Sequence, residues 1–173
     1  MGLCGSLRGN KMDTNFIINK LKARHPSNQW IFAAEVPTST GYNAPHNDGP
    51  GGIRRIDAFA LNLWPSKGFQ RVAYEIKVSR GDWLAEIRNP IKRSQAWHLS
   101  NEFWFAVPAG IIERGDWRRD MAGCGVLTVY SNGIIEVTRK AHNRKYCHPM
   151  PIGFVASLTR CVRGLTAAHG ITY

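Results

Sequence analysis

Asp57 lies near the start of one largely apolar run, and Glu75 and Lys77 lie two residues apart in the next, Arg71 to Ser79. Side chains of an extended chain repeat every two residues, so Glu75 and Lys77 project from one face, roughly 6.5 to 7 Å apart. If the two runs pair as a hairpin, Asp57 reaches that face as well. Two carboxylates and an ammonium then converge, a set suited to metal-assisted hydrolysis of a phosphodiester. A hard ion such as Mg2+ takes one or two carboxylates together with waters and phosphate oxygens. Here Asp57 and Glu75 offer the carboxylates, and the backbone carbonyl of Ile76 offers a third ligand. Mg2+ or Mn2+ in that position polarises the phosphate and lowers the pKa of a bound water, while Lys77 orients the nucleophile and offsets developing charge.

Each group has a setting that bears on this chemistry. Asp57 is flanked by Ile56, Ala58, Phe59, Ala60 and Leu61, where an acid is tolerated only if it is paired or binds a metal. Glu35, in the run Trp30 to Val36, has two readings: a further metal ligand, or the partner of Arg54 or Arg55. Glu-x-Lys alone is a weak signal, because charges two apart also arise as exposed ion pairs worth ~0 to 1 kcal/mol. The acid-bearing apolar run before it and the basic segment after it strengthen it. Arg80, Lys92, Arg93, Gln95 and His98 follow Lys77 and are expected to flank the cleft and contact DNA phosphates, which seats a duplex without reading its sequence. The alternative for these residues is a solvated helix face.

The whole chain carries a formal charge of +11 at pH 7, from 23 Lys plus Arg against 12 Asp plus Glu, and the surplus peaks between Gly51 and Ser100. A polyanion is the natural partner, although a basic surface also serves solubility. With 43% apolar and 20% charged residues the composition is that of a globular chain and excludes disorder as the main state.

The elements that must position these groups can be read from pattern and punctuation. Asp13 or Thr14 caps a helix with Phe16, Ile17 and Leu21 on its apolar face, ending before Pro26. Trp30 to Val36 is a strand, and the Gly- and Pro-rich segment Pro37 to Gly52 is a loop long enough to be a binding loop, with Tyr42, Asn43, His46 and Asn47 as candidate clamps. Arg54 to Leu63 and Arg71 to Ser79 are strands joined by a short turn. In the second, Val72, Tyr74, Ile76 and Val78 face one way and Ala73, Glu75, Lys77 and Ser79 the other. Asp82 opens a helix bearing Trp83, Leu84 and Ile87, and Asn89-Pro90 starts another. Phe103 to Val107 reads as a central strand buried on both faces. Asn132-Gly133 between apolar runs marks a hairpin of Val126 to Tyr130 with Ile134 to Thr138. A last helix turns Ile152, Val155, Thr159 and Val162 to one face and stops at Gly164. Trp30, Trp83 and Trp104 fall on apolar faces and are expected in the core.

A length of 173 residues suits one α/β domain, with a core over about 13–138 and a helical appendage over about 150–164. No run approaches the ~20 apolar residues that a spanning helix needs, so no membrane partner is expected. Four cysteines at irregular spacings, with no Cys-x-x-Cys pair, point to free thiols in a reducing compartment. The spacings of His142, Cys147, His148 and Cys161 fit no zinc pattern.

Arg55-Ile56-Asp57 followed by Tyr74-Glu75-Ile76-Lys77, in the order helix, strand, strand, strand, helix, strand, resembles the PD-(D/E)XK nucleases, the restriction-endonuclease-like superfamily. The continuation Val78 to Leu84 and the closing Phe103 to Pro108 are similar to the branch that includes MmcB-type DNA repair nucleases and related bacterial and phage proteins. The resemblance covers roughly Trp30 to Val137. It implies a restriction-endonuclease-like three-layer sandwich, a central mixed sheet flanked by helices. It also implies a Mg2+- or Mn2+-dependent deoxyribonuclease acting in the cytoplasm of a bacterium or a phage-infected host, as a homodimer if both strands are cut. Asp57 and Glu75 match the family's metal-binding acids and Lys77 its catalytic lysine; Gln95 resembles a glutamine that some branches place against substrate phosphate. Two departures stand out. Ile56 replaces the motif's proline, and the first helix lacks the glutamate many members carry, so that either Glu35 replaces it or one metal is held instead of two. The rival expectations are a catalytically inactive DNA-binding or inhibitory protein on the same fold, and a nuclease directed at RNA.

Overall fold

The computed structural model describes residues 12–39 and 54–164. Most of the segment Pro37 to Gly52, including Tyr42, Asn43, His46 and Asn47, lies outside the described residues. Helix α1 spans Thr14–Ala23 and is capped by Asp13, whose Oδ1 accepts from the Phe16 amide at 2.8 Å. Six strands follow: β1 Trp30–Pro37, β2 Arg55–Asn62, β3 Arg71–Ile76, β4 Glu102–Pro108, β5 Gly125–Val129 and β6 Ile135–Arg139. They form one sheet in the order β1-β2-β3-β4-β5-β6. β1, β2 and β3 are antiparallel, β3, β4 and β5 parallel, and β6 returns antiparallel. Helices α2 Arg80–Arg88 and α3 Ser94–Leu99 connect β3 to β4, and α4 Ile152–Val162 closes the described chain. The protein is therefore an α/β fold on a mixed sheet.

The period of two along the strands sorts the core into two layers. Ala58, Ala60, Val72, Tyr74, Ile76, Trp104, Ala106 and Leu127 pack with Ile17 and Leu21 of α1. Phe59, Ala73, Phe103, Phe105, Val107 and Val126 pack with Trp83 and Ile87 of α2, Ala96 and Leu99 of α3, and Phe154 and Leu158 of α4. β4 feeds both layers, which is why its sequence is continuously apolar. Among the three tryptophans expected in the core, Trp83 and Trp104 are buried and Trp30 is half-buried.

Several boundaries differ from the sequence reading for local reasons. β3 ends at Ile76 rather than Ser79, because the Ser79 hydroxyl caps α2 by accepting from the Asp82 amide at 3.1 Å. The helix consequently opens at Arg80, not Asp82. Asn89-Pro90 starts a single 3-10 turn, Pro90–Arg93, without a side-chain cap, and regular α-helix resumes only at Ser94. α4 is no appendage and shows a different face from the one expected. Phe154 meets Phe59 edge-on at 5.0 Å and is fully buried with Leu158, while Ile152 is 84% exposed. The larger aromatic contact outweighs the Ile152, Val155 and Val162 stripe, because buried apolar area decides which face docks.

Candidate functional site

Asp57, Glu75 and Lys77 meet where β2 and β3 run side by side. The register pairs Ala58 with Tyr74, and one further step in antiparallel register brings Asp57 opposite Glu75. The Asp57 carboxylate does not close the ladder; its Oδ2 accepts from the Ile76 amide at 2.7 Å. Lys77 stands one residue beyond β3, its backbone N–H donating to the Ala106 carbonyl at 3.2 Å. Its ammonium is 2.5 Å from Glu75 Oε1 and 3.5 Å from Glu86 Oε2.

A break in the strands' alternation shapes this end of the sheet. Ala33 and Phe59 share a core layer with Val36 and Ile56, three residues further along each strand, whereas a period of two would put them on opposite faces. The pairing steps from Ala34–Ala58 to Val36–Ile56 over Glu35 and Asp57. Glu35 takes a left-handed backbone with φ 50°, a conformation a non-glycine residue adopts at a cost of order 1 to 2 kcal/mol. Irregularities of this kind re-aim side chains at the rim of a sheet.

The environment is dry and crowded with acids. The Glu75 and Lys77 side chains are 15% and 17% exposed. Burial, with Asp57 and Glu86 nearby, outweighs Lys77 and pushes the Glu75 carboxyl up to about 8. Burial also raises Asp57, against the opposing pull of the Ile76 amide and Lys77. Burial by itself would lower Lys77, but Glu75, Glu86 and Asp57 prevail and hold it above its usual value. Carboxylates pressed together out of water favour an added cation.

Glu86 is the residue that sequence reasoning missed. It is 3% exposed on α2 and stands between Lys77 and the equally buried Arg93, at 3.5 and 3.6 Å. Its Oε1 has no hydrogen bond. The available signal was its place three residues after Trp83 and next to Ile87, on the helix face that turns inward.

Glu35 is exposed and pairs with Arg55 at 3.5 Å, the second of its two sequence readings. Of the residues expected to contact DNA, Lys92 and His98 are exposed and Gln95 is half-buried. Arg93 is not on the surface: at 4% exposure its guanidinium serves Glu86 and Asp120. Arg80 is tied to both carboxylate oxygens of Asp116 and to Glu113. Its hydrogen bonds hold the Asp116 carboxyl well below the usual range. These two arginines are placed to anchor the chain after β4, and the buried guanidinium of Arg93 is stable only beside carboxylates.

Among the described residues no three His, Cys, Asp or Glu side chains form a ready metal cage. A divalent ion here would draw on Asp57, Glu75 and the Ile76 carbonyl, with waters and substrate phosphate completing its shell, the sparse protein ligation usual for Mg2+. The hard oxygen donors, the raised Glu75 and the unsatisfied Glu86 oxygen fit such an ion. Comparison with family models, with curated proteins and with solved structures gives no match.

Proposed function

We propose that this protein is a metal-dependent deoxyribonuclease on a restriction-endonuclease-like three-layer sandwich. The observation that carries the reading is the meeting of Asp57, Glu75 and Lys77 on one side of the sheet, with Asp57 fixed by the Ile76 amide and Lys77 held by Glu75. Asp57 and Glu75 would hold Mg2+ or Mn2+. When bound, the ion supplies positive charge against the pentavalent phosphorus and a more acidic water. Glu86 keeps a second contact on the Lys77 ammonium, so Lys77 retains a fixed position when Glu75 turns to a cation. From there Lys77 orients the attacking water and stabilises the phosphorane oxygens. Exposed Lys92 and His98 contribute to seating the DNA backbone, in keeping with the +11 charge.

The closed Glu75–Lys77 pair at 2.5 Å also favours a second reading, a DNA-binding or inhibitory protein without turnover. Purified protein incubated with plasmid, single-stranded, branched and matched RNA substrates separates the two. Cleavage with Mg2+ or Mn2+, abolished by EDTA and reduced on the order of 100- to 1,000-fold in Asp57→Ala and Lys77→Ala, is the expected result. DNA binding with no cutting under either metal overturns the enzyme.

A further inference from the structure

On the opposite face of the sheet, Val72, Tyr74 and Trp104 form the floor of a cleft of about 410 Å3 that none of the chemistry above uses. Its walls are His25 and Trp30, and Arg24, Gln70 and Glu102 stand around it. The volume lies in the range of small-molecule sites. Sheet geometry builds it: Tyr74 pairs with Trp104 and Val72 with Glu102 across β3 and β4. Trp104 lies against the β5 backbone, where a Cβ on Gly125 would come within 2.2 Å of the indole. That glycine is what allows the ring to lie there.

The polar groups of the cleft have capacity to spare. Glu102 accepts from Gln70 Nε2 and from Trp104 Nε1, each at 2.9 Å. A carboxylate offers about four acceptor positions, so acceptor capacity remains. His25 is 9% exposed, its Nε2 is 2.7 Å from the Tyr74 hydroxyl, and its Nδ1 has no hydrogen-bond partner. Burial, helped by Arg24, holds His25 down at about 4, so the ring is neutral at pH 7.

We propose that this cleft binds a single nucleobase, guanine in preference to the others. Trp30 and Trp104 line the cleft, and aromatic rings are the side chains on which a flat base stacks. Glu102 accepts from the adjacent N1–H and N2 amino donors that only guanine presents together. Arg24, exposed beside the cleft, suits the attached phosphate. The base comes either from a mononucleotide or from an unstacked residue of a strand. The site does not depend on Asp57, Glu75 or Lys77, which belong to the other face.

Calorimetric titration of the full chain with GMP, AMP, CMP, UMP and ribose 5-phosphate tests the site, with indole N–H chemical shifts of Trp30 and Trp104 followed in parallel. GMP is expected to bind at least tenfold tighter than ribose 5-phosphate and tighter than AMP, and to shift both indoles. Trp30→Ala should weaken it about tenfold or more, and Glu102→Gln should erase the margin over AMP. Single-stranded oligonucleotides with one guanine or one abasic residue identify the source: tighter binding of the guanine strand, displaced by GMP, points to a strand residue, and GMP binding alone points to a free nucleotide. Unchanged indole shifts in the unmodified protein, ribose 5-phosphate binding as tightly as GMP, or affinities unaffected by both substitutions would overturn the proposal. Asp57→Ala is expected to leave GMP affinity unchanged, so a failed nuclease and a failed base site give different results.

Discussion

Beneath α2 the sheet buries Glu75, Lys77, Glu86 and Arg93 as a connected cluster of acidic and basic groups, whereas the face that carries α1 buries His25 and Tyr74 as a neutral, hydrogen-bonded pair among rings. The same β3 strand feeds both arrangements from alternate residues. Charge survives out of water only when each group has an opposite one at hand, and the penalty for a lone buried ion is several kcal/mol. A neutral hydrogen bond asks less and contributes less. One face therefore balances buried charges against one another, while the other is built from rings and a neutral hydrogen bond.

Removing one member from each face puts that contrast to the test. The largest effect is expected from Glu86→Ala, which deprives Lys77 and Arg93 of their shared counter-charge; urea unfolding should show a loss of about 3 to 5 kcal/mol. Glu86→Gln should lose clearly less, because its side-chain oxygen still accepts.

Next in size is the acid limb of the aromatic face. The folded value of His25 lies below its ordinary 6.5, at about 4, so the stability it contributes is complete above about pH 6.5 and is lost as pH falls through about 4. Melting curves across that window should show a decline of about 2 to 3 kcal/mol that is absent in His25→Phe. A pH profile unaltered by that substitution would remove His25 from the account.

Gly125→Ala tests how closely the aromatic face is fitted. The added methyl meets the Trp104 ring at 2.2 Å and should cost about 1 to 2 kcal/mol through displacement of the indole, seen as a changed tryptophan emission maximum and a lower melting temperature. The smallest effect is expected from Glu102→Ala, about 1 kcal/mol for two hydrogen bonds at the cleft. If it cost as much as Glu86→Ala in the same urea assay, the two faces would not differ in the way described.

Much of this molecule is written locally. Asp13 announces α1, Asn132-Gly133 the β5–β6 hairpin, and the alternation through Val72, Tyr74 and Ile76 the face that β3 turns toward α1. The convergence of Asp57, Glu75 and Lys77 was legible for the same reason, since two-residue spacing and a short turn leave few geometries. Glu86 and Arg93 were not legible as a buried pair, because charged residues on short helices look alike whether they face water or the sheet. Only the docking of α2 decides, and it turns Glu86 toward Lys77. α4 misled in the same way: its two apolar stripes are similar in sequence, and the contact of Phe154 with Phe59 selects one.

The amino-acid order by itself determined the strands, the turns and the meeting of Asp57 with Glu75 and Lys77, because backbone sterics and side-chain period act over a few neighbours. Tertiary structure alone decided which charges are sealed beneath α2, that Arg93 is withdrawn from the surface, and that His25, Trp30, Gln70 and Trp104 surround one cleft. Those outcomes rest on contacts between residues tens of positions apart, and the free energy of burying a polar group is set by whatever the fold places beside it.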